Sequence, residues 1–133
     1  MSRENVEVVR RGLEAFRRSD FEGVFAIFSP EVVVYSNPDE PGAKRRYEGW
    51  DGVLEYLSNW FSGWEDYLVE PQEFIDLGDH VVVDAREVGI AEQSGIRVAQ
   101  GYSHTLKLRE GKVVEWRMFG SLKQALDAVA RSE

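Results

Sequence analysis

The stretch GYSHTLKLREGKVVEWRMFGS, Gly101 to Ser121, alternates along two runs and turns once, at REGK. Its β-branched and aromatic content, with a glycine in the turn, predicts a hairpin. Tyr102, His104, Leu106 and Leu108 fall on one face of the first strand. His104 is the polar exception there.

Working backwards from the hairpin, Val69 to Leu77 and HVVVDAREVGI, His80 to Ile90, repeat the strand pattern, and the segments are separated by GD, EQSG and REGK. Four strands in series, Val69–Leu77, His80–Ile90, Val98–Arg109 and Lys112–Phe119, predict an antiparallel meander. After it, SLKQALDAVARS sets Ser121 and Gln124 in capping-box register and makes an apolar face of Leu122, Leu126 and Val129, so the chain closes with a helix.

The front half has helical period. From Arg3 to Arg18, Val6, Val9, Leu13 and Phe16 recur at intervals of three and four. In SDFE, Ser19 is the expected cap with Glu22 reaching back, leading a short helix that carries Phe21, Val24, Phe25 and Phe28 and ends at Pro30. EVVVYS, Glu31 to Ser36, reads as a strand, followed by the turn-rich loop NPDEPGAKRRYEG. A third helix after Asp51 sets Val53, Leu57, Trp60 and Trp64 on one face, widened by Leu54 and Phe61.

Helices first and strands afterwards predict an α+β domain: a cone-shaped, curved antiparallel sheet with helices packed on its concave face, formed by residues 1–133 as a single domain. Val81, Val83 and Ala85 alternate with Val82 and Val88, so this strand is apolar on both faces. One face meets the helices, and the outer sheet face is expected to meet a second copy in a homodimer.

The balance of 16 Lys plus Arg against 24 Asp plus Glu gives a net charge of -8. That charge argues against nucleic acid and anionic membranes as partners. The chain has no cysteine, which excludes disulfides, thiolate nucleophiles and sulfur-ligated zinc. MSRENVEVVRRG lacks the apolar run of a signal peptide, and no stretch is long and apolar enough to span a bilayer, so a cytoplasmic protein is expected.

LEAFRRSDFEGVFAIFSPEVVV, YEGWDGVLEYL, DLGDHVVV, LREGKVVEWRMF and the closing QAL together resemble the nuclear transport factor 2-like superfamily, in particular its polyketide cyclase-like (SnoaL-like) branch. The resemblance covers nearly the whole chain. It implies a conical pocket holding a small, largely apolar ligand, on a scaffold that hosts many chemistries. In ketosteroid isomerase-like members a tyrosine on helix one is an oxyanion donor, and Gly12 stands near that position here. Their general-base aspartate corresponds to Ser36 or Asn37. Their second oxyanion donor corresponds to His104. The last-strand aspartate of cyclase-like members falls where Trp116 and Met118 face inward.

His104 is therefore the leading candidate catalytic residue, as a proton-transfer or oxyanion-binding group, with Tyr102 assisting from the same face. The competing reading of each is a core side chain with its polar atom satisfied. Tyr35, Trp50, Tyr56, Trp60, Trp64, Trp116 and Met118 are candidate ligand-binding residues lining an aromatic cavity. Asp84, Arg86, Glu115 and Arg117 are expected on the outer sheet face. The parity of the strand at 80–90 stays open, and with it the alternative that Glu87 is the pocket carboxylate. His80 and His104 lack metal-ligand spacing, and neither a metal site nor a cofactor is expected. Two functions remain: a cofactor-independent isomerase or cyclase acting on a small apolar carbonyl compound, and a non-catalytic module that binds a small hydrophobic ligand or dimerises.

Overall fold

The computed structural model describes residues 2–40 and 44–132. Helices α1 (Ser2–Arg17) and α2 (Phe21–Ala26) lead into strands β1 (Phe28–Tyr35) and β2 (Arg46–Glu48), and helix α3 (Gly49–Phe61) follows. Strands β3 (Trp64–Leu77), β4 (His80–Ala91), β5 (Arg97–Arg109) and β6 (Lys112–Phe119) come next, and helix α4 (Leu122–Arg131) ends the series. The strands form one curved sheet in the order β2-β1-β6-β5-β4-β3. This is the α+β cone expected from the sequence.

The meander β3 to β6 is antiparallel throughout. The β5–β6 turn is tight because Glu110 and Gly111 both take positive φ, 51° and 76°, the twist that suits a two-residue hairpin. The sheet as a whole is mixed, because β1 pairs parallel to β6. No hairpin joins those two strands, so nothing local imposes an antiparallel direction. Burial decides the docking: Val32 and Val34 of β1 are fully buried.

Three boundaries differ from the sequence reading. Asp20, not Ser19, caps α2, its carboxylate accepting from the Gly23 N–H at 3.0 Å, while Ser19 turns the chain with φ 58°. Pro30 lies inside β1 rather than ending a helix, where the pairing with β6 is irregular between Phe28 and Val33 and a residue without an N–H is tolerated. Trp64 opens β3 instead of closing α3, because Gly63 at φ 88° stops the helix. The loop after β1 contains a short strand, β2, and its residues 41–43 lie outside the described residues.

The helices divide between two faces. Val9, Val24, Val53 and Tyr56 from α1 to α3 join Val81, Val83, Ala85, Leu106 and Met118 in the main core. On the opposite face, Ala125 and Val129 of α4 cover Val82 and Phe119, with Ile75 packed alongside. The expectation that the helices share the concave face therefore fails for α4, whose apolar stripe buries the outward-facing Val82 of β4. Ser121 caps this helix as expected, accepting from the Gln124 N–H at 3.2 Å.

Candidate functional site

On the sheet face covered by α1 to α3, four neighbouring strands each contribute one polar side chain to a continuous chain of hydrogen bonds. Trp116 on β6 donates its indole N–H to His104 Nδ1 on β5 at 3.1 Å. His104 Nε2 lies 2.9 Å from Glu87 Oε2 on β4, and the Tyr67 hydroxyl on β3 donates to Glu87 Oε1 at 2.6 Å. An indole N–H only donates, so Nδ1 must accept and the imidazole proton sits on Nε2, which donates to Glu87. Both Glu87 oxygens are thus acceptors, the arrangement of an ionised carboxylate.

Backbone register explains how the groups meet. His104 pairs across the strands with Val83, and Glu87 lies four residues farther along β4 on the same face. The residue between them on that face is Ala85, whose methyl leaves the path open for the longer glutamate. Tyr67 follows Asp66, which takes φ 50°, at a break in the β3–β4 register between Glu65 and Leu68. A bulge of this kind re-aims a side chain. Here it swings the Tyr67 ring inward, against Trp64 and Phe61.

Glu87 is 4% exposed, so its charge is viable only because both oxygens are hydrogen-bonded. Its field acts on the surrounding phenols. Burial, reinforced by the Glu87 carboxylate, pushes Tyr56, Tyr67 and Tyr102 above the ordinary tyrosine range. Tyr67 therefore keeps its proton and remains a donor to Glu87.

Glu87 and His104 open onto a cavity of about 100 Å³ between the sheet and α1 to α3, the same order as cavities that accept one benzene-sized ring. Among the described residues, the rest of the lining is aliphatic or aromatic, including Leu13, Phe16, Leu57, Trp60 and Met118. Tyr56 also lines it, its hydroxyl on the Met118 sulfur at 3.1 Å. Among the described residues the buried Trp60 N–H has no hydrogen bond of good geometry, although the indole acts weakly on Tyr67 in the direction that opposes the effect of burial. The chemical content is one carboxylate–imidazole pair in an apolar chamber.

A family model, the SnoaL-like domain, matches residues 9–116. The chain belongs to the SnoaL-like family. Its relatives include an uncharacterised PhzA/B-like protein of Pseudomonas aeruginosa, 26% identical over 96% of this chain and 91% of the relative. Among solved structures, a nuclear transport factor 2-like protein from Burkholderia pseudomallei superposes with a TM-score of 0.79 at 24% identity, covering 93% of this chain and 95% of the other. A candidate SnoaL-like polyketide cyclase from Jannaschia gives 0.77 at 22% identity, over 94% and 90% of the two chains. At such identities the superpositions establish a shared fold.

In this SnoaL-like domain, five of the residues singled out from the sequence, His104, Tyr56, Trp60, Trp116 and Met118, line the cavity. Tyr35, Trp50, Trp64 and Tyr102 lie outside its lining. Tyr35 is on the outer sheet face, stacked under the Arg117 guanidinium at 4.1 Å. Trp50 is 47% exposed and held on the first turn of α3 by its N–H on the Phe28 carbonyl at 3.0 Å. Trp64 packs edge-on against Tyr67, and Tyr102 packs edge-on against Trp60.

Asp84, Arg86, Glu115 and Arg117 all fall on the outer face. Asp84 accepts from the Ser103 hydroxyl at 2.8 Å, and Arg117 Nε pairs with Glu115 at 2.7 Å. The open parity at 80–90 resolves with Glu87 inward. Tyr67, the fourth member of the chain of hydrogen bonds, had no signal in the sequence reading, which began its strand at Val69.

Proposed function

We propose that this SnoaL-like domain is a cofactor-independent enzyme that moves a proton on a small, neutral, largely apolar carbonyl compound, with the Glu87–His104 pair as its proton-handling group. The observation that carries this reading is the position of that pair: a buried carboxylate and an imidazole at 2.9 Å on the wall of an otherwise apolar chamber. Such environments are where acid–base groups are tuned for catalysis. An anionic substrate is disfavoured because it would be buried beside the Glu87 charge. The Trp60 N–H, which makes no hydrogen bond of good geometry among the described residues, is a donor suited to a ligand oxygen.

A second reading, a ligand-binding module without chemistry, draws on a different feature of the same residues. Each of the four polar side chains is already bonded to its neighbour, which is what a purely structural network requires.

Thermal stabilisation by a panel of small aromatic and terpenoid carbonyl compounds, followed by product analysis for each hit, tests the choice. A ligand at a hundred times its Kd adds ~2.7 kcal/mol, which for a domain of this length raises the melting temperature by roughly 10 °C. Glu87→Gln keeps the shape and can still bond both neighbours through its amide, so it is expected to fold, bind the hit and lose turnover by ~10²-fold or more. Hits that bind and come back unchanged from the wild-type protein favour the module.

For the partner we propose a second copy of the chain, seated on the outer sheet face around Tyr35, Asp84, Glu115 and Arg117. Support comes from the mixed-sign charge of that face and from the surface that α4 leaves uncovered.

A further inference from the structure

We infer that Glu87 is the proton acceptor of this site and that His104 is a positioning residue, which deepens the proton-transfer reading above and rests on it. An imidazole serves as a base through a free ring-nitrogen lone pair. In His104 that lone pair is at Nδ1, and the Trp116 N–H occupies it at 3.1 Å. The other nitrogen carries the proton and spends it on Glu87. For His104 to take a proton at Nδ1, the Trp116 bond must break and two N–H groups must face each other. Trp116 has little freedom to withdraw, being packed face-on against Phe28 and edge-on against Tyr56.

Glu87 is in the opposite situation. Each oxygen accepts one hydrogen bond, from Tyr67 or from His104, and each keeps a second lone pair. The carboxylate is thus the member of the chain that has unused basic capacity and also lines the cavity. The two donors hold it in one orientation, and Trp116 in turn fixes the tautomer and ring plane of His104.

The step balances within the site. The C–H bond α to the substrate carbonyl breaks and an O–H bond forms on Glu87. The freed electron pair passes into the carbonyl to give an enolate, so the negative charge moves from carboxylate to substrate. Return of the same proton to a conjugated carbon regenerates the Glu87 carboxylate and leaves an isomerised ketone. No oxidant, reductant or second substrate enters.

The test uses cyclohex-3-enone, a neutral six-membered ring whose α-deprotonation leads to the conjugated enone, followed by ultraviolet absorbance. Glu87→Gln is expected to lose ~10²-fold or more. His104→Leu, which strands both the Trp116 donor and Glu87 Oε2, is expected to lose a comparable amount. His104→Gln supplies one donor and one acceptor from its amide, cannot carry a proton, and is expected to recover activity to within ~10-fold of the wild type. A His104→Gln protein as inactive as Glu87→Gln, beside an active wild type, overturns the assignment and leaves the proton-transfer reading standing. A wild-type protein that does not accelerate the conversion overturns both.

The tautomer gives a readout that needs no turnover. Long-range proton–nitrogen spectra of the labelled wild-type protein at pH 8 are expected to show His104 with a protonated Nε2 and a bare Nδ1. A proton on Nδ1 overturns the assignment.

Discussion

Replacing Gly89 by alanine should disturb the site without touching any of its polar groups. Gly89 lies two residues beyond Glu87 on the same face of β4, beneath the rings that Tyr67 and Trp64 bring from β3. A Cβ there would stand 2.8 Å from Tyr67 Cδ2 and 2.9 Å from Trp64 Cε3. Carbon contacts settle near ~3.5 Å, so both rings must retreat by roughly 0.6 to 0.7 Å. The Tyr67 hydroxyl is held to Glu87 at 2.6 Å, and a retreat of that size stretches the bond.

Overpacking of this kind costs ~1–3 kcal/mol. Unfolding entropy for 133 residues is about 0.28 kcal/mol/K, so the melting temperature should fall by roughly 4 to 11 °C. Gly101→Ala on the neighbouring strand is the control. Its nearest atom would be the Ala85 carbonyl oxygen at 3.9 Å, and relief of glycine's backbone entropy is expected to add ~0.5–1 kcal/mol, or roughly 2 to 4 °C. Calorimetry of both variants decides the matter. A Gly89→Ala protein that melts within about a degree of wild type refutes the claim that Tyr67 is clamped over Glu87.

Two further predictions concern stability and assembly. Tyr56 is 4% exposed and its phenol is raised chiefly by burial, then by Glu87. The folded state therefore holds this proton more tightly than the unfolded state. Its contribution is complete below the unfolded value near pH ~10 and fades above it by ~1.4 kcal/mol per pH unit. Tyr67 and Tyr102 act in the same direction but are more solvent-screened. Urea unfolding at pH 10 and 11 should show a fall that is ~1.0 kcal/mol smaller in Tyr56→Phe than in wild type, because the unfolded tyrosine is only half ionised at the lower pH, and an equal fall contradicts the burial argument. For assembly, sedimentation at micromolar concentration is expected to give a dimer that Arg117→Glu weakens, and a monomeric wild type removes the proposed interface.

The sequence was most legible where period and turn chemistry agreed. The β3–β6 meander and the capped last helix appear where REGK, GD and the Ser121–Gln124 spacing put them. Legibility failed where a pattern admitted two faces. Val81, Val82 and Val83 are all buried because α4 covers Val82 while the pocket side covers its neighbours. Parity could not be read from that run, and Glu87 stayed undecided with it. EVVVYS has the same defect, and Tyr35 went to the wrong side for that reason. Tyr67 depends on a bulge at Asp66, a backbone event that the residue type signals only weakly, since aspartate tolerates a positive φ without requiring it. Trp50, 47% exposed, and Trp64, packed against Tyr67 outside the cavity lining, show that aromatic content by itself predicts neither burial nor membership of a cavity.

The chain of Trp116, His104, Glu87 and Tyr67 demands more explanation than its contribution to stability supplies. Apolar side chains of matching volume often replace a buried charged pair at no loss, or at a gain, because desolvation can exceed the attraction, and a carboxylate facing a neutral imidazole has less attraction to offset that cost. A network that only had to fasten four strands together would also have no need to border a cavity, since backbone hydrogen bonds already join them. This network spans those strands and still leaves a carboxylate with spare lone pairs at the chamber wall. The tight bonding that makes His104 look structural is therefore consistent with chemistry one residue away: the indole and imidazole hold Glu87 in the orientation that a bound ketone would meet.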